Sequence, residues 1–127
     1  MRHAPAKIAA VLAFIIGVMA IFAGGQVLLG KLPDYNVIGW LPAYNFIAGL
    51  MSALVVAVLI WRESPYALPA AALTFGAHVV VMIVIRMAYG DVVAQDSLRA
   101  MTIRLAVWLI ILVLLFLQSR KGRVSTI

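Results

Sequence analysis

Four long apolar runs, separated by short polar breaks, dominate this chain. The first covers residues 8–29 and is closed by Gly30 and Lys31. The second covers 42–61, led by Pro42 in a first helical turn, where proline costs no hydrogen bond, and ends before Arg62 and Glu63. The third covers 66–89, after Ser64 and Pro65 and before Gly90 and Asp91. The fourth covers 98–118 behind Asp96 and Ser97, both competent N-caps, and leaves Ser119–Ile127 as a short, frayed basic tail. Each run is 20 to 24 residues long, the length a helix needs to cross a hydrocarbon layer of about 30 Å. That is too long for a barrel strand, and alternation of period two is absent. The pattern predicts an all-α, integral membrane four-helix bundle, up-down-up-down, forming one transmembrane domain over residues 1–127.

Composition agrees. The chain is 66% hydrophobic and 11% charged, with a mean hydropathy of +1.14. Soluble chains are about half apolar and about a quarter charged, and a domain of this size has too little interior to hide the excess. A large soluble catalytic domain is thereby excluded. Ten Lys and Arg against four Asp and Glu give a net charge of +6. The basic residues lie mostly at the ends of the apolar runs, so the expected partners are membrane lipids rather than nucleic acid.

The same charges predict orientation. With the N-terminus in the cytoplasm, six basic residues fall inside (Arg2, Lys7, Arg62, Arg120, Lys121, Arg123) and four outside (Lys31, Arg86, Arg99, Arg104). The acids lean the other way, with Asp34, Asp91 and Asp96 outside and Glu63 inside. Both termini cytoplasmic is the reading consistent with positive-inside bias. The first run is longer than the apolar part of a signal peptide and nothing soluble follows it, so a retained helix is expected. There is no cysteine, which excludes thiol catalysis, disulfide exchange and thiolate-bound metals.

Small residues mark where helices approach closely in lipid. Ala13, Gly17, Ala20 and Gly24 form such a stripe on the first helix, and Asn45, Gly49 and Ser52 share a face of the second. These positions are assigned to the bundle interior or to a dimer seam. Tyr35, Trp40, Tyr44, Trp61, Tyr66 and Tyr89 all fall near helix ends, as an interfacial aromatic belt does.

Candidate chemistry is confined to a few intramembrane polar residues. Gln26, Asn45, Arg86 and Arg104, one from each helix, lie about 5–9 Å below the outer boundary at 1.5 Å per residue. Thr74, Phe75, His78, Met82 and Arg86 follow i, i+3/i+4 spacing on the third helix, as do Ser97, Met101, Arg104 and Trp108 on the fourth. A membrane-buried arginine needs a partner or water, and Asp34, Asp91 and Asp96 are the available ion-pair partners. Two readings follow: a structural clamp, or an outer-leaflet site in which Arg86, Arg104, Asn45, Gln26 and His78 receive the polar head of a quinone or lipid. His78 lies about 16 Å from the outer end. Its plain role is a hydrogen bond to Thr74, Asn45 or Ser52. Bis-histidine haem would need a second buried imidazole, and the only other histidine is His3. No helix carries an internal acid, and there is no phosphate loop, hydrolase triad or zinc motif. An autonomous enzyme, a metal site and a resident cofactor are accordingly not expected.

The segment Ala23–Pro33, AGGQVLLGKLP, closes a first helix and precedes a short loop and a proline-led second helix. In that outline, over residues 8–89, the chain resembles the DoxX-like family of small four-helix bacterial membrane proteins. The resemblance implies the bacterial inner membrane and association with quinol-oxidising respiratory assemblies or membrane oxidoreductase complexes. The chain departs from the family in having Asn45, and no acid, in the second helix. The second half, HVVVM at His78–Met82 and VAQDSLRAMTIRLAVW at Val93–Trp108, is similar to small bacterial membrane proteins for which only a four-helix topology is implied. The expected function is a non-catalytic accessory or structural subunit, within a homo-oligomer or a larger membrane complex. The alternatives are a quinone- or lipid-binding redox accessory and a small oligomeric transporter, for which His78 is the sole titratable group at mid-membrane.

Overall fold

The computed structural model describes residues 4–30, 38–91 and 95–126, with side chains through residue 118. The described residues form four helices and no strand. Helix α1 spans Ala4–Leu28, α2 spans Leu41–Trp61, α3 spans Ala67–Met87 and α4 spans Gln95–Thr126. All four are long and apolar enough to cross a membrane. The helices run up-down-up-down. One end of the bundle gathers Lys7, Trp61, Glu63 and Gln118, and the other gathers Trp40 and Tyr89.

Three boundaries differ from expectation. The first helix begins at Ala4 rather than at Ile8, because charge on Lys7 does not interrupt a helix whose side chain can reach the interface. Asp96 does not cap the fourth helix; Gln95 is already helical and Asp96 occupies the first turn, where its charge complements the helix dipole. The expected frayed tail is helical through Thr126, since nothing between Gln118 and that residue breaks the backbone ladder.

Helix α2 is not uniform. It is α-helical over Leu41–Leu50, π-helical over Met51–Val56 and α-helical again over Ala57–Trp61. The widened turn is closed by the Ala57 N–H donating to the Ser52 carbonyl, five residues back. A physical reason lies in the seam with α1. Asn45, Gly49, Ala53 and Ala57, spaced by four, all lie along α1. Twelve residues of α-helix turn through about 1,200°, so such a row would drift about 120° around the axis. One extra residue taken up in the π segment removes about 100° of that drift and keeps the row straight.

Along this seam the backbones nearly touch. A Cβ built on Gly17 would lie 2.8 Å from the Ala53 nitrogen, and one on Gly24 would lie 2.4 Å from the Pro42 oxygen. The stripe Ala13, Gly17, Ala20, Gly24 is buried, so the small residues serve contact within one chain. Beside the seam, Ala9, Ala13, Ile60, Ala71, Trp108 and Ile111 form the larger core, drawn from all four helices. Ile38, Leu41, Val81, Ile85 and Met101 form a second core toward the opposite end. Phe14, Phe22, Leu54, Leu73, Met87 and Phe116 face outward, as lipid-facing side chains do.

The turns are well defined. Gly30, at φ 98°, ends α1. Glu63, at φ 55°, ends α2 in a Schellman arrangement, its N–H donating to Ile60 O at 2.9 Å and the Ser64 N–H to Leu59 O at 3.0 Å. Ser64 then opens α3 by accepting from the Tyr66 N–H at its hydroxyl, 3.1 Å.

Candidate functional site: an interhelical polar cluster

Two polar pairs cross the interior, side by side. Pro42 in the first turn of α2 leads to Tyr44 and Asn45, which diverge to neighbouring helices. The Arg104 guanidinium of α4 donates from Nη1 to Asn45 Oδ1 at 2.5 Å. Arg104 is only 6% exposed, so the pair is a charge-assisted bond within the bundle. Tyr44 turns toward α3, where a hydrogen bond of 2.5 Å joins its hydroxyl to His78 Nδ1. His78, 3% exposed, also packs edge-on against Trp108, ring centroids 6.3 Å apart. Met101, Arg104 and Trp108 all face inward, so the stripe read on the fourth helix is the buried face of α4.

A cleft of about 60 Å³ opens beside the first pair. Asn45, Asp96, Ser97 and Arg104 supply its polar wall, with Ala23, Leu41 and Met101 among the apolar lining. That volume holds a few waters, whereas drug-sized ligands occupy several hundred Å³. The cleft as built admits an edge of a molecule and no more.

Of the four residues expected at one depth, the fold brings together Asn45 and Arg104. Arg86 is exposed. Eight residues after His78 it has turned about 80° beyond two full turns, and Val81 and Ile85 continue the buried face instead. Gln26 is half-buried and lines a different pocket from the cleft, beside Phe22 and Phe46. It follows Gly24 by about 200°, which carries it off the seam. Asp96 lines the cleft, and Asp91 is exposed in the turn after α3. Arg86 and Asp91 form no hydrogen bond with each other among the described residues. Asp34 lies outside the described residues.

His78 has a different partner from the three expected. Thr74 donates back to Ala70 O at 2.9 Å, and Tyr44 takes the imidazole. Tyr44 therefore leaves the interfacial belt for the interior. The signal available in the sequence was its spacing of three from Leu41, which is buried, while Tyr44 itself is half-buried. Trp40 and Tyr89 stay at the end of the bundle, the indole N–H donating to the phenol oxygen at 3.1 Å. At the other end Lys7 Nζ donates to Trp61 O at 2.8 Å and lies 4.1 Å over the indole ring. Among the described residues no three His, Asp or Glu side chains converge as a metal site.

The fold and this cluster define an all-helical, multi-pass membrane protein whose interior polar groups bridge helices. Compared with protein-family models, curated proteins and solved structures, the chain matches none.

Proposed function

We propose that this chain is a non-catalytic membrane protein, an accessory or structural subunit of a homo-oligomer or a larger membrane complex. The observation that carries the reading is that the intramembrane polar groups bind one another, Arg104 to Asn45 and His78 to Tyr44, and leave a cleft of only about 60 Å³. Groups poised for turnover need room for a substrate against them. Paired groups joining α2 to α3 and α4 fix helix positions. The proposed location is the bacterial inner membrane with both termini cytoplasmic. The charge asymmetry between the two ends supports the orientation, and the DoxX-like outline supports the compartment.

Extraction into native nanodiscs, followed by mass measurement, tests the subunit reading. A particle holding several copies, or this chain with other subunits, is expected; a lone 13.7 kDa chain would overturn it. Single cysteines introduced at Ala4 and Thr126 test orientation, since an impermeant maleimide should label both only from the cytoplasmic side.

The cleft favours one second reading, the quinone- or lipid-binding accessory. Arg104 and Ser97 donate there and Asp96 accepts, a mixed set that suits the oxygen edge of a quinone or quinol better than a multiply charged phosphate. Native mass spectrometry of gently solubilised protein should then find a quinone that is lost on Arg104→Ala. Protein without any bound quinone would remove this reading and leave the first intact.

A further inference from the structure

At the basic end, far from the clamp, the outer face between α1 and α2 carries a second and quite different concavity. It is a groove of about 380 Å³ lined almost wholly by carbon. Its floor is Ala10, Ala53 and Ala57, each at most 5% exposed. Its walls are larger and outward-facing, Phe14 on α1 and Leu54 on α2. A trough with methyl groups below and a bulky side chain on each flank offers apolar contact along its length, which suits a hydrocarbon chain.

The groove has a polar end. It closes at Trp61 and Arg62. Beside them, Lys7 is anchored by its bond to Trp61 O and its seat over the indole, which commit one of its three N–H donors to the backbone. From Leu54 to Arg62 the groove runs about 12 Å along α2, close to the half-thickness of a hydrocarbon core of about 30 Å. It thus reaches from the membrane surface toward the midplane, the span of one leaflet. Glu63, the one acid in this region, accepts from Gln118 Nε2 on α4 at 3.2 Å.

We infer that this groove binds one anionic phospholipid, its acyl chain along Ala10, Ala53 and Ala57 and its phosphate between Lys7 and Arg62. Apolar contact holds the tail whatever the headgroup; the two cations supply the preference for negative charge. A cation near an anionic lipid surface favours it by about fivefold, so the pair gives a preference of about 25-fold.

The test uses the full chain in nanodiscs of equimolar phosphatidylglycerol and phosphatidylcholine, with retained lipid read by native mass spectrometry. The wild type should keep one phosphatidylglycerol in preference to phosphatidylcholine. Lys7→Gln with Arg62→Gln should abolish the preference while leaving total retained lipid nearly unchanged. Val58→Trp, which fills the groove from its lipid-facing wall, should lower retention of both lipids. Arg86→Gln, an exposed cation at the opposite end of the bundle, should alter neither, which ties the preference to Lys7 and Arg62. Equal retention of the two lipids by the wild type would overturn the inference, as would an unchanged preference in the double variant. Efficient disulfide dimerisation of Val58→Cys would also overturn it, by showing that a second copy of the chain covers the groove.

Discussion

Gly24→Ala and Gly25→Ala place the same methyl group at adjacent positions, yet the packing of α1 on α2 demands opposite results. At Gly24 the new Cβ would lie 2.4 Å from the Pro42 oxygen and 2.7 Å from the Phe46 nitrogen. Ordinary contact begins at 3.4 Å, so the helices must part by about 1.0 Å (3.4 − 2.4), and both obstructing atoms are backbone. Overpacking of this kind costs about 1–3 kcal/mol, with the upper part of the range apt because no side chain can swing aside. Against it stands the better helix propensity of alanine, up to about 1 kcal/mol. The net expectation for Gly24→Ala is a loss of about 2 kcal/mol. At Gly25 the nearest atom to the added Cβ is Phe46 Cδ2 at 3.6 Å, an ordinary contact, so the propensity gain stands nearly alone. The two variants should differ by about 3 kcal/mol in reversible unfolding from bicelles, followed by steric trapping or by tryptophan fluorescence. Equal stabilities would refute the close seam between α1 and α2, and with it the register of α2.

Further expectations concern the cluster and the turns. A double-mutant cycle on Asn45→Leu and Arg104→Met should return a coupling of about 1 kcal/mol, within the range for interhelical hydrogen bonds in membranes; additive losses would mean the two side chains do not act as a pair. Arg86→Gln should shift stability by less than about 0.5 kcal/mol in the same unfolding assay, because its side chain is exposed. At Glu63, φ 55° penalises any side chain, so Glu63→Gly should be more stable than Glu63→Ala by about 1 kcal/mol, both having lost the carboxylate's contact with Gln118. Thermal melts of the two variants should preserve that order.

What the sequence makes legible is distance along each helix. Apolar length fixed four spans, and the small-residue spacing of α1 located its buried face, because both signals are one-dimensional and repeat. Depth is equally simple to read, and Gln26, Asn45, Arg86 and Arg104 were placed by it. Azimuth is harder. A helix turns about 100° per residue, so two steps of four leave a residue about 80° off its starting face. That drift carried Arg86 to the surface while Ile85 stayed inside. Tyr44 illustrates a different limit: an aromatic near a helix end suits a membrane interface or an interior bond equally, and only the position of His78 on another helix decides. The π-helical turn leaves no compositional trace, since Met51–Val56 reads as ordinary apolar helix.

That turn acts as a one-residue gear between the two ends of α2. Above it Asn45 is held against Arg104; below it Trp61 meets Lys7. Inserting one more apolar residue within 51–56, wound as ordinary helix, would swing one half by about 100° relative to the other, whereas deleting one would absorb the widened turn and leave the halves in phase. The hydropathy profile would hardly register that insertion, yet the interior bond and the Lys7–Trp61 contact could no longer form together. The widened turn thus sets which lengths of α2 keep both contacts in place.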